Sequence, residues 1–338
     1  MSDAITARIV IVAFRSDEVI LECLQSLDIQ TDTRFEVVVV NNDESSDFLT
    51  KLPVFKFSIN ILCPKVNLGF AGGCNFGAKG TKSPWLIMLN PDTRVAVDWF
   101  ENIMKSALKY PNTDAWASTL IQNNNSDKLD GFGDVMSIYG VAWRGGYGQQ
   151  RSLSPKEDLI IFGACGAAAA YRRSVFEEIG GFDSNYFCFL EDVDIALRLN
   201  LSKHTTRISH KSIVNHIGGS STEPNSEFPV TQTFKNNAYL LIKNLPLHLL
   251  FLMFPLYMIF QTWVIIRNRH DGFNKARKTG RRLGIKRLRQ AWNARGSVVR
   301  KPGASIFLWK RLCKSYLKLR KNDFYYINSR SDSVGKSN

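Results

Sequence analysis

The sequence lacks the signatures of a zinc-binding protein, of a disulfide-bonded protein and of a secreted protein. It has six cysteines in 338 residues, and none of them has the Cys-x-x-Cys spacing of a zinc site. Scattered cysteines of this kind favour reduced thiols in a cytoplasmic compartment over a disulfide framework. The first seven residues are polar instead of basic and then apolar, which predicts that the chain has no signal peptide.

Acidic residues are scarce in one part of the chain. Residues 267–338 contain 21 Lys or Arg and three acids, a net charge of +18, whereas residues 1–266 have a net charge of −4. Such asymmetry indicates two parts with different partners. The mildly acidic body and the basic C-terminal region therefore need separate interpretations.

Charged residues are absent from residues 244–266, a stretch of 23 residues that is rich in Leu, Phe, Met and Ile. That length can span a bilayer. However, Pro246 and Pro255 interrupt it, and a span with a cytoplasmic body would place the basic region outside, against the positive-inside tendency. We expect an interfacial or re-entrant segment, with Lys275 to Arg289 lying on anionic headgroups. The alternative is a solvated helical bundle with a buried apolar hairpin.

Short apolar runs alternate with helical patterns in the first 110 residues. The predicted buried strands are Arg8 to Phe14, Phe35 to Val40, Ile59 to Cys63 and Trp85 to Leu89, and the predicted helices include Asp17 to Leu27 and Val97 to Lys109. This order predicts an α/β fold with a mostly parallel sheet flanked by helices. In such sheets ligands bind outside the carboxyl ends of the strands, so the polar residues that follow these strands should face one cleft.

The polar sequence Asn90-Pro91-Asp92-Thr93 ends the fourth of these strands. A carboxylate and an amide here can hold Mg²⁺ or Mn²⁺, which prefer oxygen ligands and usually bind through one or two carboxylates plus substrate phosphates. The same residue types also form ordinary turns. The interpretation as a metal site therefore depends on the neighbouring motifs.

A glycine-rich segment, Asn67 to Gly77, precedes this strand. Its four glycines allow a close approach of the backbone to a ligand, and the start of the helix that follows favours a phosphate group. The segment has neither the dinucleotide-binding Gly-x-Gly-x-x-Gly nor the Gly-Lys-Ser/Thr of a phosphate loop. A plain turn is the alternative.

Acids cluster in the middle of the chain. Glu191, Asp192 and Asp194 stand at the start of an apolar helical pattern, where the helix dipole by itself favours acids. The functional interpretation is a general base that removes a proton from an acceptor hydroxyl. Further on, His216 is followed by two glycines and two serines, a polar setting that favours metal or phosphate binding.

Nine segments, taken in order, resemble the family 2 inverting glycosyltransferases, and in particular the rhamnosyltransferase-like members that build bacterial surface polysaccharides. The segments are VIVAF, CLQSLDIQ, VVVVNND, SSD, NLGFAGG, LNPDT, GGFD, LEDVDIALR and NHIGGSS, and the resemblance covers residues 7–222. It implies a GT-A fold, a nucleoside diphosphate sugar as donor, and Mg²⁺ or Mn²⁺ as cofactor. It also suggests a dTDP-sugar, with L-rhamnose as the sugar.

The resemblance implies roles for individual residues. Asp192 matches the catalytic base with Glu191 beside it, Asp92 matches a direct or water-mediated metal ligand, and His216 matches a position near the metal and diphosphate. The other matched positions would line the donor pocket: Ala13, Phe14, Asn41, Asp43, Asn67, Gly69, Gly72, Gly73, Asn75 and Asn90. Asn41 replaces the usual Asp of the family, and Asp43 is expected to take over its contact.

The implied reaction moves one sugar to a hydroxyl of a glycan or lipid-linked saccharide, with inversion of the anomeric carbon. The Gln-x-x-Arg-Trp sequence of processive synthases is missing after the proposed base, which favours one sugar per encounter. One alternative is a sugar-phosphate nucleotidyltransferase, although Arg15-Ser16-Asp17 does not supply its glycine-rich signature. Another is nucleic-acid binding through the basic region, but the adjacent uncharged stretch favours lipid, so no nucleic acid is expected.

These observations predict three parts. Residues 1–237 would form the catalytic domain, residues 238–321 an apolar and then basic helical region that associates with the membrane, and residues 322–338 a disordered tail. Residues 244–321 are expected to contact the membrane surface. The enzyme is expected at the cytoplasmic face of the plasma membrane, as a peripheral or re-entrant protein.

Overall fold

The first half of the chain forms parallel strands with helices between them. The computed structural model describes residues 5–43, 52–218, 226–270 and 272–317. Its first elements are β1 (Ala7–Ala13), α1 (Asp17–Asp28), β2 (Phe35–Asn41), β3 (Ser58–Leu62), α2 (Gly69–Ala78) and β4 (Trp85–Leu89). β1 pairs in parallel with β2 and β4, and β2 pairs in parallel with β3. The predicted strands and the first helix lie within a residue or two of these bounds.

The sheet becomes mixed in its second half. The next elements are β5 (Thr93–Val95), α3 (Trp99–Lys109), β6 (Ala115–Gln122), β7 (Asn125–Gly131), β8 (Asp134–Met136), β9 (Ala142–Arg144), β10 (Ile160–Ile161), β11 (Ala168–Arg172), α4 (Arg173–Glu178), α5 (Glu191–Leu201) and β12 (Thr206–His216). The strand order is β10-β12-β6-β11-β4-β1-β2-β3, with β5 beside β12 and β7 beside β6. β11 runs antiparallel to both β4 and β6. The expected α/β fold is confirmed, and its parallel character belongs mainly to the first half.

Helices cover both faces of the sheet. Along β1, Ile9 and Ile11 pack in one buried cluster with α1 and α3, whereas Val10 and Val12 pack in another with α2, α4 and α5. Successive side chains of a strand point to opposite faces, so a strand covered on both sides must be apolar at every position. This explains the uninterrupted apolar runs of β1, β2 and β4.

Among the described residues, the C-terminal region forms five α-helices that pack on the body or on one another. They are α6 (Glu227–Asn244), α7 (Leu247–Arg267), α8 (Asn274–Lys286), α9 (Leu288–Asn293) and α10 (Ala304–Leu317). A third buried cluster joins Leu197 of α5 to Tyr239 of α6, Met253 of α7 and Leu308 of α10. α6 also crosses the predicted boundary between residues 237 and 238. The region therefore shares its core with the helix that carries Asp192.

The uncharged stretch of the sequence lies almost entirely in α7, which begins at Leu247 and contains Pro255. Within the described residues, α7 is a helix of 21 residues that is long and apolar enough to cross a membrane. A stretch of 18 of its residues has a mean hydropathy of 2.1, and one third of that stretch is buried. The predicted disorder of residues 322–338 lies outside the described residues.

Candidate active site

The carboxyl ends of β1, β2 and β4 meet at one edge of the sheet. Ala13 lies opposite Asn41, and Ile11 lies opposite Leu89. Asn90 therefore follows β4 at the same edge, and its backbone N–H donates to Ala167 O at 2.9 Å. Phe14 follows β1 there and is partly exposed. Several residues matched to the donor pocket are thus neighbours.

The glycine-rich segment is helical, which corrects the expectation of a loop before a helix: Gly72 and Gly73 lie inside α2. A Cβ atom on Gly73 would lie 2.8 Å from Val12 Cγ1, and one on Gly69, which has a φ of +68°, would lie 2.5 Å from Phe187 O. These glycines let α2 approach β1 and the segment before α5. Close packing within the protein therefore accounts for them, and a contact with the donor stays a prediction.

Asparagine side chains fix α2 in place. The Nδ2 of Asn75 donates to Phe182 O at 2.7 Å, and its Oδ1 accepts from Phe182 N at 2.9 Å. The Oδ1 of Asn67 accepts from Gly69 N at 2.8 Å. Asn42, which lies within the polar cluster matched to the donor pocket, is buried and donates from Nδ2 to Gly69 O at 3.0 Å. Asp43 N donates to Asn41 Oδ1 at 3.0 Å. Most of these polar groups hold the strand end and helix together.

Asp92 and His216 come together although they lie far apart in the sequence. β5 pairs antiparallel with the end of β12, which places His216 opposite Thr93. The Nε2 atom of His216 lies 3.4 Å from Asp92 Oδ1, and both side chains are buried. Burial opposes the charged form of His216, but Asp130 and Asp92 outweigh it and raise the pKa of its imidazole.

Asp130, in β7, orients the imidazole from the other side. Its Oδ2 lies 2.6 Å from His216 Nδ1 and also forms an ion pair with Arg144 of β9. Nε2 of His216 has no hydrogen-bond partner among the described residues. A histidine held by a carboxylate at one nitrogen, with the other nitrogen directed at an aspartate, is the donor set of many metal sites. The residues therefore fit a divalent cation.

Asp192 lies at the N-terminal end of α5 and is partly exposed. Its Oδ2 accepts from Gly166 N at 3.2 Å and its Oδ1 accepts from Val193 N at 2.9 Å. Burial raises the pKa of this carboxyl, and the two N–H groups and Arg144 oppose the rise. Burial and then the charge of Asp192 raise the pKa of Glu191 well above its ordinary value. Of this pair, Asp192 therefore carries the charge more readily.

The segment before α5 has an unusual backbone. Phe187, Phe189 and Leu190 have φ values of 64°, 67° and 69°, in the left-handed region that bulky residues avoid. The Nδ2 of Asn236, a fully buried residue of α6, donates to the carbonyl oxygens of Tyr186, Cys188 and Phe189 at 3.0, 3.0 and 2.9 Å. The C-terminal region thus holds the strained backbone that leads into Asp192.

The sequence interpretation missed four residues of this site: Asp130, Asp134, Arg144 and Asn236. Asp130, Asp134 and Arg144 lie on β7, β8 and β9, which were not predicted, and Asn236 lies in α6. The signal available was Asp130-Gly-Phe-Gly-Asp134, in which two acids flank glycines within a region of buried residues. Atoms of Asp134, Cys165 and Asp192 that could act as ligands all lie within 4.8 Å of one another.

The chain is similar in sequence to known glycosyltransferases. The family described as "Glycosyl transferase family 2" matches residues 8–180, which is more than half of the chain. An N-acetylglucosaminyl-diphospho-decaprenol L-rhamnosyltransferase of Mycobacterium tuberculosis is 26% identical in an alignment of length 201, and the match covers 52% of this chain and 64% of the relative. Rhamnosyltransferase WbbL of Escherichia coli K12 is 25% identical in an alignment of length 211, and the match covers 57% of this chain and 76% of the relative.

Solved structures share the fold. GalNAc-T7 with UDP, GalNAc and Mn²⁺ has a TM-score of 0.58 at 16% identity, over 72% of this chain and 48% of that chain. The mannosyltransferase PcManGT of Pyrobaculum calidifontis, in complex with GDP-Man and Mn²⁺, has a TM-score of 0.50 at 13% identity, over 96% of this chain and 83% of that chain. The fold is the GT-A fold that the sequence resemblance implies.

Proposed function

We propose that this chain, which belongs to glycosyl transferase family 2, moves one sugar from a nucleoside diphosphate donor to a hydroxyl of a glycan or lipid-linked saccharide. The observation that carries the proposal is the pairing of Asp92 with His216 at the carboxyl edge of the sheet, where α/β folds bind ligands. Arg144 forms an ion pair with Asp130, which contacts His216. The charge of Arg144 also opposes the raised pKa of Asp192. The proposed cation site and the proposed base would therefore belong to one active site.

The donor would lie along the ends of β1, β2 and β4, with its diphosphate toward Asp92. Asp92 and His216 would hold Mg²⁺ or Mn²⁺, which when bound offsets the negative charge of a departing diphosphate. The family resemblance and the Mn²⁺ in both of the structures compared above support a metal.

Asp192 would accept the proton of the acceptor hydroxyl while that oxygen attacks the anomeric carbon. Attack from the face opposite the diphosphate inverts the configuration of that carbon, and no covalent bond to the protein is needed. The raised pKa of Asp192 suits this role, because a base accepts a proton more readily as its pKa approaches the working pH. Its backbone hydrogen bonds fix the carboxylate in place.

The donor is proposed to be dTDP-rhamnose and the acceptor a lipid-linked saccharide. Both proposals are supported by the sequence resemblance and by the names of the two relatives, of which one is an L-rhamnosyltransferase acting on a diphospho-decaprenol lipid. The chain matches 64% of that relative. The nucleotidyltransferase alternative has no support from the family match.

The C-terminal region is proposed to bind the cytoplasmic face of the plasma membrane. α7 exposes Phe251, Ile259 and Ile266, whose side chains are 76%, 68% and 61% accessible. Beside it lies a groove of about 610 Å³, lined by Ile265, Lys278, Arg281, Arg282, Ile285 and Lys286. Exposed apolar side chains next to basic ones fit an anionic bilayer, where each basic residue contributes on the order of 1 kcal/mol.

Transfer itself is the test of the proposed function. Purified protein would be incubated with dTDP-rhamnose, UDP-GlcNAc or GDP-mannose and a short-chain lipid carrying N-acetylglucosaminyl diphosphate, with Mn²⁺ or with chelator. We expect a glycosylated product from one donor, inverted at the anomeric carbon by NMR, and no product with chelator. Retention of configuration, or no turnover of any donor, would contradict the proposal.

Membrane association has its own test, the sedimentation of the protein with vesicles that contain anionic lipid. Replacing Lys278, Arg282 and Lys286 by Gln should weaken vesicle binding at least tenfold and should not change the melting temperature, since these side chains are exposed. The matched control replaces Lys65, Lys82 and Lys211, which are exposed on the body, and should bind like the wild type. Equal loss in both variants, or binding of nucleic acid in preference to vesicles, would contradict the proposal.

A further inference from the structure

Asp134 is a buried acid that the reaction described above does not use. It begins β8, its side chain is 6% accessible, and its Oδ2 has no hydrogen-bond partner among the described residues. Its carboxyl lies in the group formed with Cys165 and Asp192, whose atoms are all within 4.8 Å of one another. A buried polar atom without a partner costs about 1–3 kcal/mol. Such an atom beside the proposed base indicates a missing ligand.

The backbone around Asp134 is rigidly placed. Asp134 N donates to Gly163 O at 2.9 Å, and Asp134 lies opposite Arg144 in the pairing of β8 with β9. Gly163 in turn lies so close to α5 that a Cβ on it would be 2.3 Å from Ala196 Cβ. The hairpin, the segment before β11 and α5 are therefore in direct contact, and together they fix Asp134 beside Asp192.

A hydroxyl group suits this position better than a metal ion does. Mg²⁺ and Mn²⁺ prefer oxygen ligands, so the Cys165 sulfur is a poor ligand for them, and burial raises the pKa of its thiol far above the ordinary range. Burial and then the charge of Asp192 also raise the pKa of Asp134 well above its ordinary value, although Arg144 opposes the rise. A carboxyl group can bond to a hydroxyl in either state, as a donor when protonated and as an acceptor when charged.

We infer that Asp134 binds a second hydroxyl of the acceptor sugar, on the carbon next to the one whose oxygen attacks. This inference rests on the proposed function, because Asp192 is taken to touch the attacking hydroxyl. Two carboxyl groups within 4.8 Å can contact neighbouring hydroxyls of one ring. Asp134 would then select acceptors with a vicinal diol and orient the attacking oxygen toward Asp192.

The test compares Asp134→Asn with Asp127→Asn, which removes an exposed acid from β7. The donor is dTDP-rhamnose, and the acceptors are the short-chain N-acetylglucosaminyl diphosphate lipid and its monodeoxy analogues. Asp134→Asn should lower kcat/KM for the full acceptor about 10–100-fold, the loss of one or two hydrogen bonds, and leave hydrolysis of the donor within about twofold. For the analogue that lacks the neighbouring hydroxyl, the variant and the wild type should react equally.

Melting temperature without substrate separates this role from a structural one. Because the unpartnered Oδ2 of Asp134 costs free energy in the folded protein, Asp134→Asn should melt at the wild-type temperature or above it. A fall of several degrees, with parallel loss of donor hydrolysis, would overturn the inference, as would an equal loss with every acceptor analogue. If the wild type hydrolyses the donor and transfers to none of these acceptors, the proposed acceptor is wrong. In that case an Asp134→Asn variant that melts at or above the wild-type temperature still supports an unfilled site at Asp134, and one that melts several degrees lower overturns it.

Discussion

The carboxyl edge of the sheet and the C-terminal helical region differ in the sign of their charged residues. At the sheet edge, acids gather around one arginine: Asp130 forms an ion pair with Arg144, and the charge of Arg144 opposes the raised pKa values of Asp134 and Asp192. In the C-terminal region the basic residues dominate, and they divide into two groups. Some are bound inside the fold and others are exposed, so the net charge of +18 overstates the charge that is available to a membrane.

The internal basic residues support the active site. Arg287 donates to Asn185 O at 2.8 Å and to the Oδ1 of Asn236 at 3.1 Å. Arg300 donates to Lys243 O at 3.0 Å, and Arg295 donates to Leu245 O at 2.7 Å. These contacts hold α6, which in turn holds the segment before Asp192. The C-terminal region therefore holds the backbone that leads into the proposed base, and it also forms the proposed membrane surface.

The largest expected effect lies at the sheet edge. Asp192→Asn should lower the transfer rate by about 10²–10⁴-fold, the usual contribution of a general base. Binding of the donor should stay within a few-fold of the wild type, because the change leaves the ends of β1, β2 and β4 untouched. Transfer kinetics and donor titration measure the two quantities, and an active variant would contradict the role of Asp192.

The ion pairs of Lys243 with Asp183 and Asp194, called the junction below, join the two regions and should show the next largest effect. Lys243 is buried and lies 2.7 Å from Asp183 Oδ2 and 2.8 Å from Asp194 Oδ1. Lys243→Met removes a cation from both acids, of which Asp194 keeps its ion pair with Arg198. It should cost about 3–5 kcal/mol of unfolding free energy, measured by urea denaturation. Lys301→Met, which removes an exposed partner of Glu178, should cost less than about 1 kcal/mol. Similar losses of unfolding free energy in the two variants would contradict a stabilising role for the buried ion pairs of Lys243.

Metal affinity tests the orientation of His216. Asp130→Asn should weaken the binding of Mn²⁺ by about 10–100-fold, the usual cost of removing a carboxylate that positions a ligating histidine. Electron paramagnetic resonance of free Mn²⁺ gives the affinity without any turnover. Asp127→Asn serves again as the control and should bind like the wild type. Unchanged affinity in Asp130→Asn would mean that His216 does not bind the metal through this arrangement.

Acid should destabilise the junction over a defined range of pH. Burial by itself would raise the pKa of Asp194, but Arg198 and Lys243 outweigh it and lower the pKa to about 2. A carboxyl with a lowered pKa stabilises the fold above its ordinary pKa, and this stabilisation disappears as the pH falls from about 4 to about 2. The loss should be about 2 kcal/mol in urea titrations. A flat profile over that range would contradict the buried ion pair.

The sequence predicted the features that depend on local pattern. β1, β2 and β4 are apolar at every position because both faces of the sheet are covered, and Asp92 and Asp192 follow clear changes from apolar to polar residues. Asp130, Asp134 and Arg144 were missed because their positions depend on how short strands pair. The glycines of α2 were assigned to a loop because the sequence could not show that Val12 packs against Gly73.

Donor binding is the most direct measurement of the central claim, that the edge of the sheet binds a nucleoside diphosphate sugar together with a divalent cation. Calorimetric titration of dTDP-rhamnose, UDP-GlcNAc and GDP-mannose would be carried out with Mn²⁺ and with chelator, on the wild type and on Asp92→Ala. We expect one donor to bind the wild type only with Mn²⁺, and Asp92→Ala to lose most of that binding. Donor binding that is indifferent to both Mn²⁺ and Asp92, or no binding of any donor, would contradict the claim.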